Sequence, residues 1–188
     1  ALLPERQVHS SHSRAEFQAT INPPLHRTNF YELYFIIQGS MFQNIENKRH
    51  LYPQGSCVLL NRNVRRVIEY SNEFRCVSLQ LSDGFIQDCL FASTYFQAEQ
   101  SEIACSIRQF FRQDMASENA AARNYVDFIP LKEHDWILQN IHQQFERIVK
   151  ETLDPGISSS HMIRALFTEL LYKLFHPDNF SNTPVSLG

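Results

Sequence analysis

The hydrophobic periodicity of this 188-residue chain changes once, at Leu81, and this change constrains the fold more than any other sequence feature. From Phe30 to Leu81, short runs rich in aromatic and β-branched residues alternate with turn residues. This pattern predicts six short strands, spaced about 8–12 residues apart. After Leu81 the apolar residues recur at helical spacing. The sequence therefore predicts a sandwich or barrel of strands followed by helices.

The predicted strands are bounded by short turns such as Gly39-Ser40 and Pro53-Gln54-Gly55, which contain residue types that favour turns. The first strand is apolar at almost every position, which is typical of a strand buried on both faces, and Glu32 is its conspicuous polar member. The six strands are predicted over Phe30–Ile37, Met41–Ile45, His50–Tyr52, Ser56–Leu60, Val64–Tyr70 and Phe74–Leu81.

Two long helices are predicted near the end of the chain, from about Leu131 to Thr152 and from about Ser160 to Phe175. Asp154-Pro155-Gly156 separates them, and so short a connection predicts an antiparallel helical hairpin. The second helix carries an apolar stripe that is wider than one neighbour requires. Part of it is expected to pack inside the chain, and part is a candidate interface with a second chain. The stripe consists of Ile163, Leu166, Phe167, Leu170, Leu171 and Leu174.

These patterns divide the chain into five segments. Residues 1–24 are predicted to be an N-terminal arm, 25–82 the β domain, and 83–130 a helical and irregular connection that ends in an extended run before Pro130. Residues 131–176 are the helical hairpin. Residues 177–188 are rich in Asn, Ser, Thr and Pro, and they are predicted to be a linker to a further segment.

Charge, hydropathy and cysteine content exclude several classes of function. The net charge is −3 and the pI is about 6.2, which disfavours binding of nucleic acid by this chain itself. No apolar run is long enough to cross a membrane, and the N-terminus lacks a signal-peptide core. Four cysteines without a C-x-x-C motif indicate reduced, mostly buried thiols. We therefore expect a cytoplasmic protein.

One group of polar residues precedes and enters the first strand. Because alternate residues of a strand share a face, His26, Thr28, Glu32 and Tyr34 are expected to point to the same side. A histidine and a carboxylate inside a barrel can hold a metal or a polar ligand. The alternative is that the histidine faces solvent and Glu32 pairs with a nearby arginine. Motifs of nucleophilic hydrolases, P-loop enzymes, zinc proteases and dinucleotide-binding enzymes are absent from the sequence.

The run that begins at His26 resembles the first motif of cupins and, more fully, the ligand-binding domain of AraC-type transcriptional regulators. The resemblance covers about residues 25–82 and implies a cupin-like β-barrel (a double-stranded β-helix). It also implies a small-molecule effector, a homodimer formed through the terminal helices, and DNA binding by a helix-turn-helix domain beyond Gly188. The matching residues are His26, Asn29-Phe30-Tyr31-Glu32-Leu33, Gly39, Pro53-Gln54-Gly55 and Val58-Leu59-Leu60-Asn61.

Two departures from the cupin pattern argue against a metal or another cofactor. Thr28 replaces the second histidine of the first motif, and Arg66 replaces the histidine of the second. Arginine offers no lone pair to a cation, so His26 and Glu32 are the only ligands left of the three or four that the cupin site requires. The sequence therefore predicts no bound metal and no catalysis.

Arg66 is instead predicted to point inward and to pair with Glu32 when no ligand is bound. Together with His26, Thr28 and Tyr34, this pair would form a polar end in an aromatic cavity. Arg62 and Arg65 either add positive charge at the mouth of the cavity or lie in a solvated loop. Such a site favours a ligand with a carboxylate, a phosphate or several hydroxyls.

Three functions are compatible with these residues. The preferred one is an effector-sensing and dimerisation domain of a bacterial transcription regulator. The second is a metal-dependent cupin enzyme, an isomerase or a dioxygenase, against which the missing ligands argue. The third is a stand-alone protein-interaction module, which would show no saturable stabilisation by a small molecule.

Overall fold

The computed structural model describes residues 9–10, 31–61, 64–97, 101–115, 123–131 and 135–187. Nine strands and five helices lie within these ranges. The strands are β1 His9–Ser10, β2 Tyr31–Gln38, β3 Met41–Ile45, β4 Lys48–Tyr52, β5 Cys57–Leu60, β6 Arg66–Tyr70, β7 Arg75–Leu81, β8 Arg123–Pro130 and β9 Phe180–Leu187. The helices are α1 Asp83–Ala92, α2 Thr94–Gln97, α3 Glu102–Met115, α4 Asp135–Leu153 and α5 Ser159–Phe175.

The strands form two antiparallel sheets. The larger sheet has the order β1-β7-β2-β5-β8-β9, and the smaller sheet has the order β4-β3-β6. The six strands predicted before Leu81 are all present and are followed by helices, as predicted. Strands β8 and β9 were not predicted; they lie between and after these helices and join the larger sheet. Two further details differ from the prediction. Strands contain 36% of the described residues and helices contain 43%, so the fold is mixed rather than mainly β. The described strands form two sheets, and closure of these sheets into a barrel is not seen among them.

The central strands β2 and β5 of the larger sheet are buried on both faces, which explains why β2 is apolar on both faces. Leu33 and Phe35 point to one side, into a core that they share with the helices. Tyr34 and Ile36 point to the other side, into a second core between the two sheets. The molecule therefore has three layers, which are the small sheet, the large sheet and the helices. The space between the two sheets is where the polar residues of β2 and β6 meet.

The predicted helical hairpin is present. Helices α4 and α5 are joined by residues 154–158 and run antiparallel. Residues near the end of α5 contact the middle of α4, and residues near the start of α5 contact a later part of α4. Lys173 Nζ lies 2.9 Å from Gln144 Oε1, and Arg147 lies 3.7 Å from the sulfur of Met162. Ser82 caps the N-terminus of α1, since the Phe85 amide donates to Ser82 Oγ at 3.2 Å.

The predicted interface stripe of α5 lies in the core of a single chain. All six side chains are at most 5% exposed. The stripe is wide because α5 packs against α1, α3, α4 and β9 of the same chain. Each additional neighbour requires a further apolar row on the helix surface. The expectation that these side chains reach another chain is therefore corrected. They are Ile163, Leu166, Phe167, Leu170, Leu171 and Leu174.

The predicted linker 177–188 is also corrected, because most of it is strand β9. This strand pairs with β8 over its whole length, from Arg123↔Leu187 to Pro130↔Phe180. The Phe180 side chain is 1% exposed and packs in the helix-side core. Pro184 is tolerated because β9 is an edge strand, where a missing amide does not break a second ladder. Within the described ranges, no helix has the length and apolar character needed to cross a membrane.

Candidate functional site

The candidate site lies between the two sheets and is formed by Glu32 and Tyr34 of β2 and Arg66 of β6. Glu32 and Tyr34 are two residues apart, so they share the inward face of β2. Arg66 is the first residue of β6 and pairs in register with Ile45 of β3, whose side chain also faces inward. Glu32 and Arg66 are each 3% exposed, so both charges are removed from water.

The three side chains form a closed set of hydrogen bonds. Arg66 Nη2 forms an ion pair with Glu32 Oε2 and donates to Tyr34 Oη at 2.8 Å. Tyr34 Oη donates to the same Glu32 oxygen at 2.6 Å. The Arg66 guanidinium carbon also lies 5.2 Å from the centroid of the Tyr34 ring. The structure thus shows the Arg66–Glu32 pair that the sequence predicted and adds Tyr34 as the group that joins its two members.

Burial controls the protonation of this set. It raises the pKa of Tyr34 well above its usual range, with a smaller contribution in the same direction from nearby Tyr70. It lowers the pKa of Arg66 to about 10, against a smaller opposing effect of Tyr70. At neutral pH Tyr34 therefore keeps its proton and acts as a donor, and Arg66 keeps its charge.

Two buried polar atoms beside this set have no hydrogen-bond partner among the described residues. They are Arg66 Nε, a donor, and Gln43 Oε1, an acceptor. Gln43 is completely buried on β3, and it is two residues from Ile45, the register partner of Arg66. The two side chains are therefore diagonal neighbours on the inner face of the small sheet. A buried polar atom without a partner is costly, so the pair marks a place where a polar molecule would be stabilised.

Sequence reasoning missed Gln43, although one signal was available. Along β3 the inward positions are Met41, Gln43 and Ile45, and an amide at the middle of an apolar row is unusual. Its Nε2 group lies 3.5 Å from the Met41 sulfur, a weak acceptor. The polar residue on the inward face of β3 was thus visible in the alternation, but its closeness to Arg66 depends on the pairing of β3 with β6.

A second polar cluster lies where β4 faces β8, and the sequence did not predict it. Tyr52 Oη donates to Asp127 Oδ1 at 2.7 Å, and His50 Nδ1 lies 3.4 Å from Asp127 Oδ2. His50 Nε2 is 3.1 Å from Tyr125 Oη. Burial raises the pKa of Asp127, and the hydrogen bonds from Tyr52 and His50 oppose this shift. The partners are about 75 residues apart in sequence, so no local pattern could reveal them.

The other predicted site residues are placed as follows. His26, Thr28 and Arg62 lie outside the described residues. Arg65 is exposed, and its backbone amide lies 3.4 Å from Glu46 Oε1. In the described part of the chain, no three His, Cys, Asp or Glu side chains come together in a way that could hold a metal ion. None of the four cysteines forms a disulfide within the described residues, and Cys105 is the exposed one.

The fold and the sequence together define an AraC-like ligand-binding domain. The sequence pattern of this family, described as "AraC-like ligand binding domain", matches residues 7–175. The chain therefore belongs to this family, as the residues from His26 to Asn61 indicated. Comparison with curated proteins finds no significant match.

Solved structures with a similar fold include ToxT from Vibrio cholerae and the AraC-like transcriptional activator CuxR. One ToxT structure is 16% identical with a TM-score of 0.45, and the match covers 79% of this chain and 48% of the ToxT chain. A ToxT structure described as bound to an unsaturated fatty acid is 14% identical with a TM-score of 0.40, and the match covers 82% of this chain and 50% of the ToxT chain. CuxR is 5% identical with a TM-score of 0.37, and the match covers 77% of this chain and 42% of the CuxR chain. The chain thus spans about half the length of these proteins.

Proposed function

We propose that this chain is the effector-sensing and dimerisation domain of a bacterial AraC-type transcription regulator. In this proposal it binds a small polar or anionic molecule between its two sheets. The observation that carries the proposal is the buried Arg66–Glu32–Tyr34 set with two unpaired polar atoms beside it. Membership of the AraC-like ligand-binding family supports it.

The chemistry of the site favours a ligand with several hydroxyls or with a carboxylate or phosphate. A ligand hydroxyl can donate to Gln43 Oε1 and accept from Arg66 Nε, which satisfies both unpaired atoms at once. An anionic ligand can take over Arg66 from Glu32, since arginine binds carboxylates and phosphates through paired N–H groups. Aromatic and aliphatic side chains of the inter-sheet core would cover the apolar parts of the molecule.

The N-terminal arm is a natural element for reporting the ligand. Its short strand β1 pairs with β7, where His9 lies opposite Ser78. Ser78 also lies opposite Tyr34 of the site, on the other side of β7. A ligand that shifts Tyr34 would therefore act on the strand to which the arm is bound. Such a ligand changes the arrangement of the arm only if it binds one arrangement more tightly than the other.

We further propose that the chain is not an enzyme, acts in the cytoplasm, forms homodimers and reaches DNA only through a separate domain of a longer protein. Sedimentation analysis over a range of concentrations tests the dimer. The proposal expects twice the chain mass of 22.0 kDa at high concentration. A chain mass that stays at this value at every concentration would remove dimerisation from the proposal.

Ligand binding is tested by thermal-shift and calorimetric titration with glucose, glucose phosphate and citrate, which represent hydroxyl, phosphate and carboxylate ligands. At least one probe is expected to bind saturably to the wild-type chain. The Glu32→Gln/Arg66→Met double variant removes both charges together and is expected to bind that probe at least about tenfold more weakly.

The matched control is Arg49→Met on the same small sheet, which breaks an exposed ion pair with Glu69. It is expected to leave binding unchanged. Equal binding by the wild type and the double variant would exclude Arg66 from the ligand site. Absence of saturable binding by every probe, and of any organic molecule in the native mass spectrum of the purified chain, would favour a protein-interaction module instead.

A further inference from the structure

A groove separate from the inter-sheet site lies on the helical layer, between α1–α2 and the outer face of α5. Its volume is about 550 Å³, which is within the range of small-molecule sites. The Cys89 side chain of α1 and the Ala165 and Thr168 side chains of α5 line it. Tyr95 of α2 and Tyr172 of α5 lie at one end. We call this space the helix groove.

Arg164 supplies a positive charge to the helix groove. Its Nε atom donates to the Ser160 carbonyl at 3.2 Å, and within the described part of the chain the guanidinium forms no ion pair. Arg164 and Cys89 both line the groove. Burial raises the pKa of the Cys89 thiol to about 12, and Thr168 and Arg164 oppose this shift. Arg164 therefore contributes a positive charge to the wall of the groove.

The other charges near the helix groove do not neutralise Arg164. Glu169 lines the groove, but it forms an ion pair with Lys173 at 2.9 Å. Asp88 on α1 is exposed and makes no ion pair with Arg164. The groove therefore presents an uncompensated guanidinium in mainly apolar surroundings. This combination complements a carboxylate with an apolar body.

The two ends of the helix groove differ in chemistry, and this sets the shape of the ligand. Arg164, Thr168 and Tyr172 are four residues apart and lie along one face of α5. At a rise of about 1.5 Å per residue, Tyr172 is about 12 Å from Arg164 along the helix axis. The Tyr172 ring meets the Tyr95 ring edge to face, at a centroid distance of 5.4 Å. An aromatic ring at that end can join the pair in a favourable edge or stacked arrangement.

We infer that the helix groove is a second ligand site, which binds an elongated aryl-alkyl carboxylate. The carboxylate pairs with Arg164, and the aromatic ring contacts Tyr95 and Tyr172. Because the site lies between α1–α2 and α5, its ligand bridges these helices and restrains their relative position. The inference is independent of the inter-sheet site, since the two sites share no residue.

The test is calorimetric titration of the 188-residue chain with phenylhexanoate and phenylbutyrate. The uncharged amide of phenylhexanoate serves as the ligand control. At least one carboxylate is expected to bind saturably with one site per chain, and the amide is expected to bind at least about tenfold more weakly. Arg164→Gln is expected to cause a similar loss. Ala165→Phe fills the floor from an exposed position and is expected to abolish binding.

Arg147→Gln is the matched control, because Arg147 is exposed on α4 outside the helix groove. It is expected to bind like the wild type. Three outcomes would overturn the inference. They are no saturable binding by either carboxylate, equal binding by wild type and Arg164→Gln, or a change in chain association caused by Ala165→Phe. The last outcome would identify the groove as an interface between two chains. Unchanged circular dichroism and melting of the variants establish that they are folded.

Discussion

At the residue scale, the buried charge of Arg66 has to be neutralised, and each of its N–H groups needs a hydrogen-bond acceptor. Glu32 neutralises it and Tyr34 accepts a further N–H, yet one nitrogen keeps no partner among the described residues. Burying an ion pair is costly, and the gain from pairing offsets this cost only when the geometry is complete. The set therefore leaves one donor for a further hydrogen bond, which the proposed ligand would accept.

The Arg66–Glu32 pair can be tested through stability. Arg66→Met is expected to lower the free energy of unfolding by about 3–5 kcal/mol, because it leaves the Glu32 charge buried and unpaired. Glu32→Gln/Arg66→Met is expected to recover most of this loss. The exposed control Arg49→Met is expected to change stability by less than about 0.5 kcal/mol. Urea unfolding measures all three, and an equal cost of Arg66→Met and Arg49→Met would contradict the buried pair.

The cysteines give a second prediction at this scale. Burial raises the pKa of Cys76 and Cys89 to about 12 and raises that of Cys57 as well, so these thiols remain protonated and shielded. At about pH 8 a chromogenic disulfide reagent is expected to react quickly with Cys105 alone in the folded chain. All four thiols are expected to react in denaturant. Rapid reaction of more than one thiol in the native chain would be inconsistent with the described core.

At the element scale, α5 and β9 change role once their neighbours are known. Helix α5 contacts α1, α3, α4 and β9, so its wide apolar stripe is buried within the chain. Strand β9 covers the edge of β8 that would otherwise be open to pairing with another chain. The C-terminal part of the described chain thus contributes to the core of the chain.

The role of the α5 stripe is tested with Leu170→Ala. Leu170 is fully buried, so the change is expected to cost about 2–5 kcal/mol of unfolding free energy. The control is Ile157→Ala in the turn before α5, which is fully exposed and is expected to cost less than about 0.5 kcal/mol. If Leu170→Ala separated a dimer into stable monomers without changing the unfolding curve, the stripe would face a second chain.

The role of β9 is tested with Phe180→Ala. The ring is 1% exposed and meets Phe128 in the helix-side core, with a centroid distance of 6.4 Å. Its removal is expected to cost about 3–5 kcal/mol in chemical unfolding. Ser181→Ala, the exposed neighbouring position on the same strand, is expected to be neutral. Equal stability of the two variants would restore the linker interpretation.

At the scale of the whole molecule, the charge balance is a testable property. The chain has 17 Lys and Arg against 20 Asp and Glu, so its field repels a polyanion on average. Fluorescence anisotropy with a short labelled DNA duplex is expected to show no binding at physiological salt. The full-length regulator would be the positive control. Saturable, salt-sensitive binding by this chain alone would mean that it contributes directly to DNA recognition.

Local sequence patterns were sufficient to identify the strands before Leu81, the helical hairpin and the family. These features depend on alternation, turn residues and helical spacing, which act over a few residues. The pairing of Arg66 with Glu32 was also predictable, because a family resemblance indicated that both face the same interior.

The remaining features depended on contacts between distant segments. Asp127 meets His50 and Tyr52 across two sheets, Gln43 approaches Arg66 through the β3–β6 register, and the helix groove forms only where α1 and α2 meet α5. The polar composition of residues 180–187 hid a strand, because an edge strand is stabilised by its ladder with β8 rather than by its own propensity. An apolar helix face is visible in a sequence, but whether it packs inside the chain or against a partner depends on which elements the fold brings beside it.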